Sequence, residues 1–184
     1  MHKDEKWQLF YNNGEPIVGE WRSAELDNPE AGEDEIVGGA VIYLYRKNQA
    51  GEIELLWQQR AMGIRNFPGK WDVSAGGHVN FGESFGEAAV REAWEEIGVK
   101  ISVDELEVVA LRRNRKNMIN LIYLVDWTGR EENFSFDDGE VAQVKWVPLS
   151  ETDSFRKEFG KAPVAEDDAT YISIWKWFRD NGNL

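Results

Sequence analysis

The chain has 184 residues, 42% hydrophobic and 30% charged, with a formal net charge of −13; this is a globular composition with enough interior for one domain. The acidic balance excludes a nucleic-acid duplex or an anionic membrane as the main partner, because both require a basic face. With no cysteine in the chain, disulfides, thiolate catalysis and zinc–cysteine sites are excluded as well.

In chain order, Met1 to Lys6 lacks the apolar core of a signal peptide and no apolar run reaches membrane-spanning length, so a cytoplasmic location is expected. Trp7–Tyr11 reads as a short strand, Asn12-Asn13-Gly14 as a turn, and Ile17–Arg22 as a second strand. Glu25 to Glu35 is an acidic loop. Ile36–Arg46 is strongly strand-like, with Val41, Tyr43 and Tyr45 alternating against Ile42 and Leu44. A polar turn at Asn48–Glu52 leads to a partner strand, Ile53–Arg60. Met62–Lys70 is a loop with Gly63, Pro68 and Gly69, and Trp71–Ser74 is a short strand entering a glycine turn. Phe67 and Trp71 are assigned to core packing, with contact to a substrate ring as the alternative.

A helix over 84–97 follows. Ser84 and Glu87 have the capping-box spacing, and Gly98 is placed to end the helix in the left-handed conformation. Leu106–Arg113 and Met118–Trp127 form a predicted hairpin with a basic tip carrying Arg115 and Lys116. Arg130–Glu140 is a second acidic loop and Val144–Pro148 a strand. Two helices close the chain, Ser150–Phe159 and Ala169–Asn181, the second with Ile172, Trp175 and Phe178 on one face. Strands around one central helix predict an α/β fold with a mixed sheet between helices.

The chemistry concentrates on the 84–97 helix. Glu92, Glu95 and Glu96 stand at i, i+3 and i+4 and share a face, where like charges repel. A hard divalent cation, which prefers carboxylate oxygens, relieves that repulsion. Ala89, Ala93 and Ile97 form the neighbouring stripe, expected against the core. Glu83 before the helix and Arg91 within it are expected to pair structurally and tie the loop to the helix. Gly76, Gly77 and Gly82 let the backbone approach a ligand. Solvated glutamate faces are common, but here seven residues are fixed in spacing. At roughly one in fifteen each, they coincide by chance about once in 10^8 windows.

That spacing resembles the Nudix hydrolase box: Gly77, Glu83, Arg91, Glu92, Glu95, Glu96 and Gly98 all match, with Ala93 and Val99 at its apolar positions. The resemblance implies a Nudix-like α/β/α sandwich with a central mixed β-sheet. It implies a single domain over 1–184, with residues 77–99 as the box and 1–35 as an N-terminal extension. It implies a pyrophosphohydrolase that cleaves a nucleoside diphosphate linked to another group, using Mg²⁺ or Mn²⁺ on Glu92, Glu95, Glu96 and the Gly77 carbonyl. Some family members use a further downstream glutamate as ligand or general base, and Glu140 is the candidate. Arg60, Lys70, Arg113 and Arg115, with Arg65 and Lys116, are candidate cations for the substrate phosphates. The expected partner is a small diphosphate; a homodimer is allowed by the exposed aromatics but not required.

The run Phe67 to Val79 also resembles the isopentenyl-diphosphate isomerase branch of the superfamily. In those isomerases a catalytic cysteine precedes the Gly-His pair and the histidine binds metal. Here Gly76 stands before Gly77-His78, so isomerase chemistry is not expected, and His78 is not assigned as a ligand. A non-catalytic nucleotide sensor on the same fold is the other alternative, but such proteins usually lose box residues and this chain keeps them all.

Overall fold

The computed structural model describes residues 6–11, 13–23, 36–113, 118–161 and 169–184. The expected acidic loop over 25–35 lies wholly outside these, as do Arg115 and Lys116 of the hairpin tip. The elements in order are β1 (Lys6–Phe10), β2 (Pro16–Ser23), β3 (Ile36–Lys47), β4 (Ile53–Arg60), β5 (Trp71–Asp72), β6 (Ala75–His78), α1 (Phe85–Ile97), β7 (Glu107–Arg113), β8 (Met118–Asp126), β9 (Val141–Pro148), α2 (Thr152–Phe159) and α3 (Ala169–Asp180). The predicted strands and helices are present. β6 is an addition, occupying residues expected as a glycine turn, and β9 starts three residues earlier than expected.

All nine strands belong to one mixed sheet. β3 is its spine. It runs parallel to β8 from Val37↔Met118 to Tyr45↔Asp126 and antiparallel to β1, β4 and β6. β3 and β4 pair only at Tyr45–Lys47 with Ile53–Leu55. Beyond that they splay. β6 fills the gap on the β3 side and β5 on the β4 side.

Ser74, between the two short strands, stitches this fork. Its Oγ accepts the Leu44 N–H at 2.9 Å and donates to the Leu56 carbonyl at 2.6 Å, fully buried. One hydroxyl thus satisfies a backbone donor and a backbone acceptor that the splay leaves without ladder partners.

Strand alternation sorts the core into two layers. Ile42, Leu44, Leu56 and Ala75 face α1, whose Ala88, Ala89, Ala93 and Ile97 are wholly buried. The small side chains let the helix lie close on the sheet. Ser84 and Glu87 form the expected capping box, and Gly98 ends the helix at φ 70°. On the other face, Tyr43, Tyr45, Leu55 and Trp57 meet α3.

There the expected helix face is corrected. Tyr171, Ile174 and Phe178 are buried, while Ile172 is 58% exposed and Trp175 is half-exposed. Tyr171 and Phe178 meet the β3 tyrosines edge-on. Ring pairing selects the face, and both aliphatic-plus-tryptophan and aromatic stripes were compatible with the helical period.

The β1–β2 hairpin extends the sheet and grips the glycine segment ahead of α1. Gln8 N–H donates to the Val79 carbonyl, Phe81 N–H to the Lys6 carbonyl, and Gly82 N–H to Gln8 Oε1. Among the described residues no helix is long and apolar enough to cross a membrane.

Ser74→Ala removes one acceptor and one donor from buried backbone groups. It is expected to lower the unfolding free energy by about 2–4 kcal/mol in a urea titration; a loss below about 0.5 kcal/mol would mean the fork closes without the stitch.

Candidate active site at the mouth of the strand fork

Glu96, on the last turn of α1, projects into the fork and is almost completely buried. Its Oε2 accepts the Gly76 N–H at 2.8 Å, from β6, and the Gln58 side-chain amide at 3.0 Å, from β4. Burial, with repulsion from Glu92 and Asp72, pushes its carboxyl well above the usual carboxylate range, against the pull of those two donors. Both donors fall on one oxygen and leave Oε1 to another partner.

Arg91, one turn earlier, organises the other carboxylates. Nε and Nη2 clasp the two oxygens of Glu83 at 2.8 and 3.1 Å. Nη1 donates to Glu92 at 2.7 Å and Glu95 at 2.9 Å. Nη2 also reaches the His78 carbonyl at 2.9 Å. Every guanidinium N–H is thereby used. The expected Glu83–Arg91 tie is present, and Arg91 proves to be the positive charge against the helix face as well.

Gly77 faces Glu92 so closely that a Cβ built there would collide with the carboxylate. A larger residue at 77 would displace the Glu92 carboxylate from this position. Among the described residues, no three Asp, Glu or His side chains stand together in ligating positions; Arg91 instead bonds Glu92 and Glu95.

His78 turns away from these groups. Its ring stacks on Trp7 at 3.8 Å. Burial, with the Arg91 charge, pushes it down to about 4, so it is neutral at pH 7. Gly76 occupies the position of the isomerase cysteine, and a Cβ there would lie 2.7 Å from the Ala40 carbonyl oxygen. The strand pairing leaves no room for a side chain.

Glu95 is 44% exposed. The carbonyl of Glu140 accepts the Ala61 N–H at 2.8 Å, which sets the start of β9 against the end of β4. Asp138, bonded to the Glu140 amide, is pushed up by burial and by repulsion from Glu140 and Glu95, so this loop lies in the field of the carboxylate helix. Arg60 lies 3.6 Å from Asp72 and donates to the Asn66 carbonyl. Lys70 has an exposed side chain on the 62–70 loop. Arg113 ends β7 opposite Ile119. Arg115 lies outside the described residues.

Sequence reasoning missed Gln58, Asp72 and Asp138. Gln58 and Asp72 face each other across β4 and β5, and both are buried. Their signal was a polar residue at the parity of Leu56, which faces α1.

Residues 36–168 match the NUDIX domain family. That covers most of the chain, and the protein belongs to this family. Nudix hydrolase 3 of Arabidopsis thaliana is 32% identical over 130 residues, spanning 65% of this chain and 16% of that protein. An isopentenyl-diphosphate Delta-isomerase of Photobacterium profundum is 29% identical over 111 residues, spanning 57% of this chain and 61% of that one. The chain thus covers less than two thirds of either relative. Among solved structures, DR0079 from Deinococcus radiodurans superposes with a TM-score of 0.65 at 22% identity, covering 93% of this chain and 98% of the other. At that identity the likeness concerns the fold, which is the expected Nudix α/β/α sandwich.

Arg91→Lys cannot reproduce a five-donor fork. It is expected to lower the unfolding free energy by about 2 kcal/mol, whereas Glu95→Gln, on the exposed arm, should change it by under about 1 kcal/mol. Urea unfolding of both variants distinguishes them; equal small effects would contradict an organising role for Arg91.

Proposed function

We propose that the protein is a divalent-metal-dependent pyrophosphohydrolase acting on a nucleoside diphosphate linked to another group. The observation that carries this is the set of α1 carboxylates held by Arg91 against the end of β6 in a chain of the Nudix family. We read residues 1–184 as a single domain, with 1–35 as its N-terminal extension.

The donor set fits Mg²⁺ or Mn²⁺. It consists of hard carboxylate and carbonyl oxygens. Glu96 keeps Oε1 beyond its two bonded donors, and the bare Gly77 backbone leaves room beside Glu92 that any side chain would fill. Glu92, Glu95 and Glu96 would hold the ion, with the Gly77 carbonyl as a further ligand. When bound, it supplies charge neutralisation for the phosphoryl oxygens and an acidified water.

The chain's own groups do the rest. Glu83 and Arg91 keep the turn and the helix in register. Gln58 and the Gly76 amide orient Glu96. In hydrolysis, a water oxygen forms the new bond to phosphorus, the bridging oxygen leaves with the other phosphoryl group, and the water proton passes to a carboxylate. Glu140 is our candidate for that base. Arg60, Lys70, Arg113 and Arg115 are the candidate cations for the phosphates. An isomerase reading is disfavoured because its cysteine position is Gly76, packed on the Ala40 carbonyl.

The test is a panel of ADP-ribose, nucleoside triphosphates, dinucleoside polyphosphates, NADH and prenyl diphosphates with Mg²⁺. At least one nucleoside diphosphate derivative should be cleaved, and chelator should stop the reaction. Glu96→Gln should lower kcat by roughly 10²–10³-fold with the fold intact. Binding without turnover would identify a sensor instead.

A further inference from the structure

The loop 61–70 joins β4 to β5 at the mouth of the fork. It begins three residues after Gln58, which bonds Glu96, and ends two residues before Asp72. The loop is tightly constrained. Gly69 N–H donates to the Arg60 carbonyl, Arg60 N–H to the Lys70 carbonyl, and Gln59 Nε2 to the Gly69 carbonyl. Arg60 Nε holds the Asn66 carbonyl at 3.0 Å. Lys70 N–H donates to the Phe67 carbonyl at 3.2 Å, with Gly69 at φ 72°. Phe67-Pro68-Gly69-Lys70 is therefore a type II turn, with proline and glycine in their preferred places.

Within this turn Phe67 has φ 54°, the one positive value among the described non-glycine residues. A bulky side chain takes that conformation only when its surroundings impose it. The strain gains no packing. Phe67 is 53% exposed. It belongs to neither large core cluster, and no other ring among the described residues meets it. Trp71, four residues on, packs against Phe155 at 5.3 Å, so the core assignment expected for both aromatics holds for Trp71 and fails for Phe67. The neighbouring Met62 is 78% exposed.

We propose that Phe67 is the residue on which the substrate's planar base stacks, with the type II turn and Arg60 holding its ring out at the mouth of the carboxylate site. A rigid ring displayed beside the diphosphate position presents a flat apolar face to any base. The face has no hydrogen-bonding pattern, so it does not choose between purine and pyrimidine. This inference deepens the hydrolase proposal and rests on it for the position of the diphosphate.

The test separates binding from turnover. Binding of ADP, CDP and inorganic pyrophosphate, each with Mg²⁺, is measured by calorimetry on wild type, Phe67→Ala, Phe67→Trp and Phe67→Gly. Phe67→Ala should weaken ADP and CDP about tenfold and leave pyrophosphate unchanged, while Phe67→Trp should bind both nucleotides as wild type does. Phe67→Gly should lose nucleotide affinity in the same way, yet melt at or above the wild-type temperature, because glycine relieves the positive φ.

The proposal is overturned if Phe67→Ala binds nucleotides normally, if pyrophosphate weakens in parallel, or if wild type binds neither nucleotide. It is overturned too if Phe67→Gly melts more than about 4 °C lower, which would make the ring structural. Base-dependent binding without turnover of any diphosphate would contradict the hydrolase proposal alone.

Discussion

The divergence of β3 from β4 is the constraint on which the rest depends. Two strands that separate inside a core expose ladder groups that must find other partners. Here they find Ser74, the two short strands, and the carboxylate of Glu96, which draws a backbone amide from β6 and a side-chain amide from β4 onto one oxygen. A buried acid is thus a structural member of the sheet as well as a group of the proposed site. It can reach the fork only because Ala89 and Ala93 let α1 lie close on the sheet.

The electrostatics follow from that placement. Glu96 is pushed toward its neutral form by burial and by Glu92, while Glu92 and Glu95 are held by the one guanidinium of Arg91. A single cation therefore organises Glu83, Glu92 and Glu95, while Glu96 lies outside its hydrogen bonds. A divalent ion would invert the field that Glu96 feels and would compete with Arg91 for Glu92 and Glu95. Glu83, bound in both oxygens, would hold Arg91 beside the His78 carbonyl if an ion took Glu92 and Glu95.

Much of this was legible in the residues. Ser84, Glu87 and Gly98 marked the ends of α1, because capping is local chemistry. The 92, 95, 96 spacing named a shared face, because helical period is local too. β6 was not legible: Ala75-Gly76-Gly77-His78 has little strand propensity, and only pairing with Gly39–Ile42 makes it a strand. Gln58 and Asp72 were missed because a polar residue in a strand shows its burial only once its neighbour across the sheet is known. The α3 face was misplaced by one residue step for a related reason. Several apolar stripes fitted the period, and the tyrosines of β3 chose among them. Core packing is the expected role of Phe67 from sequence; its positive φ and exposed ring, which no local pattern signals, keep it out.

The proposed site requires the box carboxylates to bind a divalent ion in preference to Arg91. Titration of the protein with Mn²⁺, following free ion by electron paramagnetic resonance and without any substrate, tests it directly. Saturable binding that weakens at least tenfold in Glu92→Gln, and is unaltered by Glu52→Gln in the turn at the other end of β4, is the expected result. Equal Mn²⁺ affinity in wild type and Glu92→Gln would contradict the account.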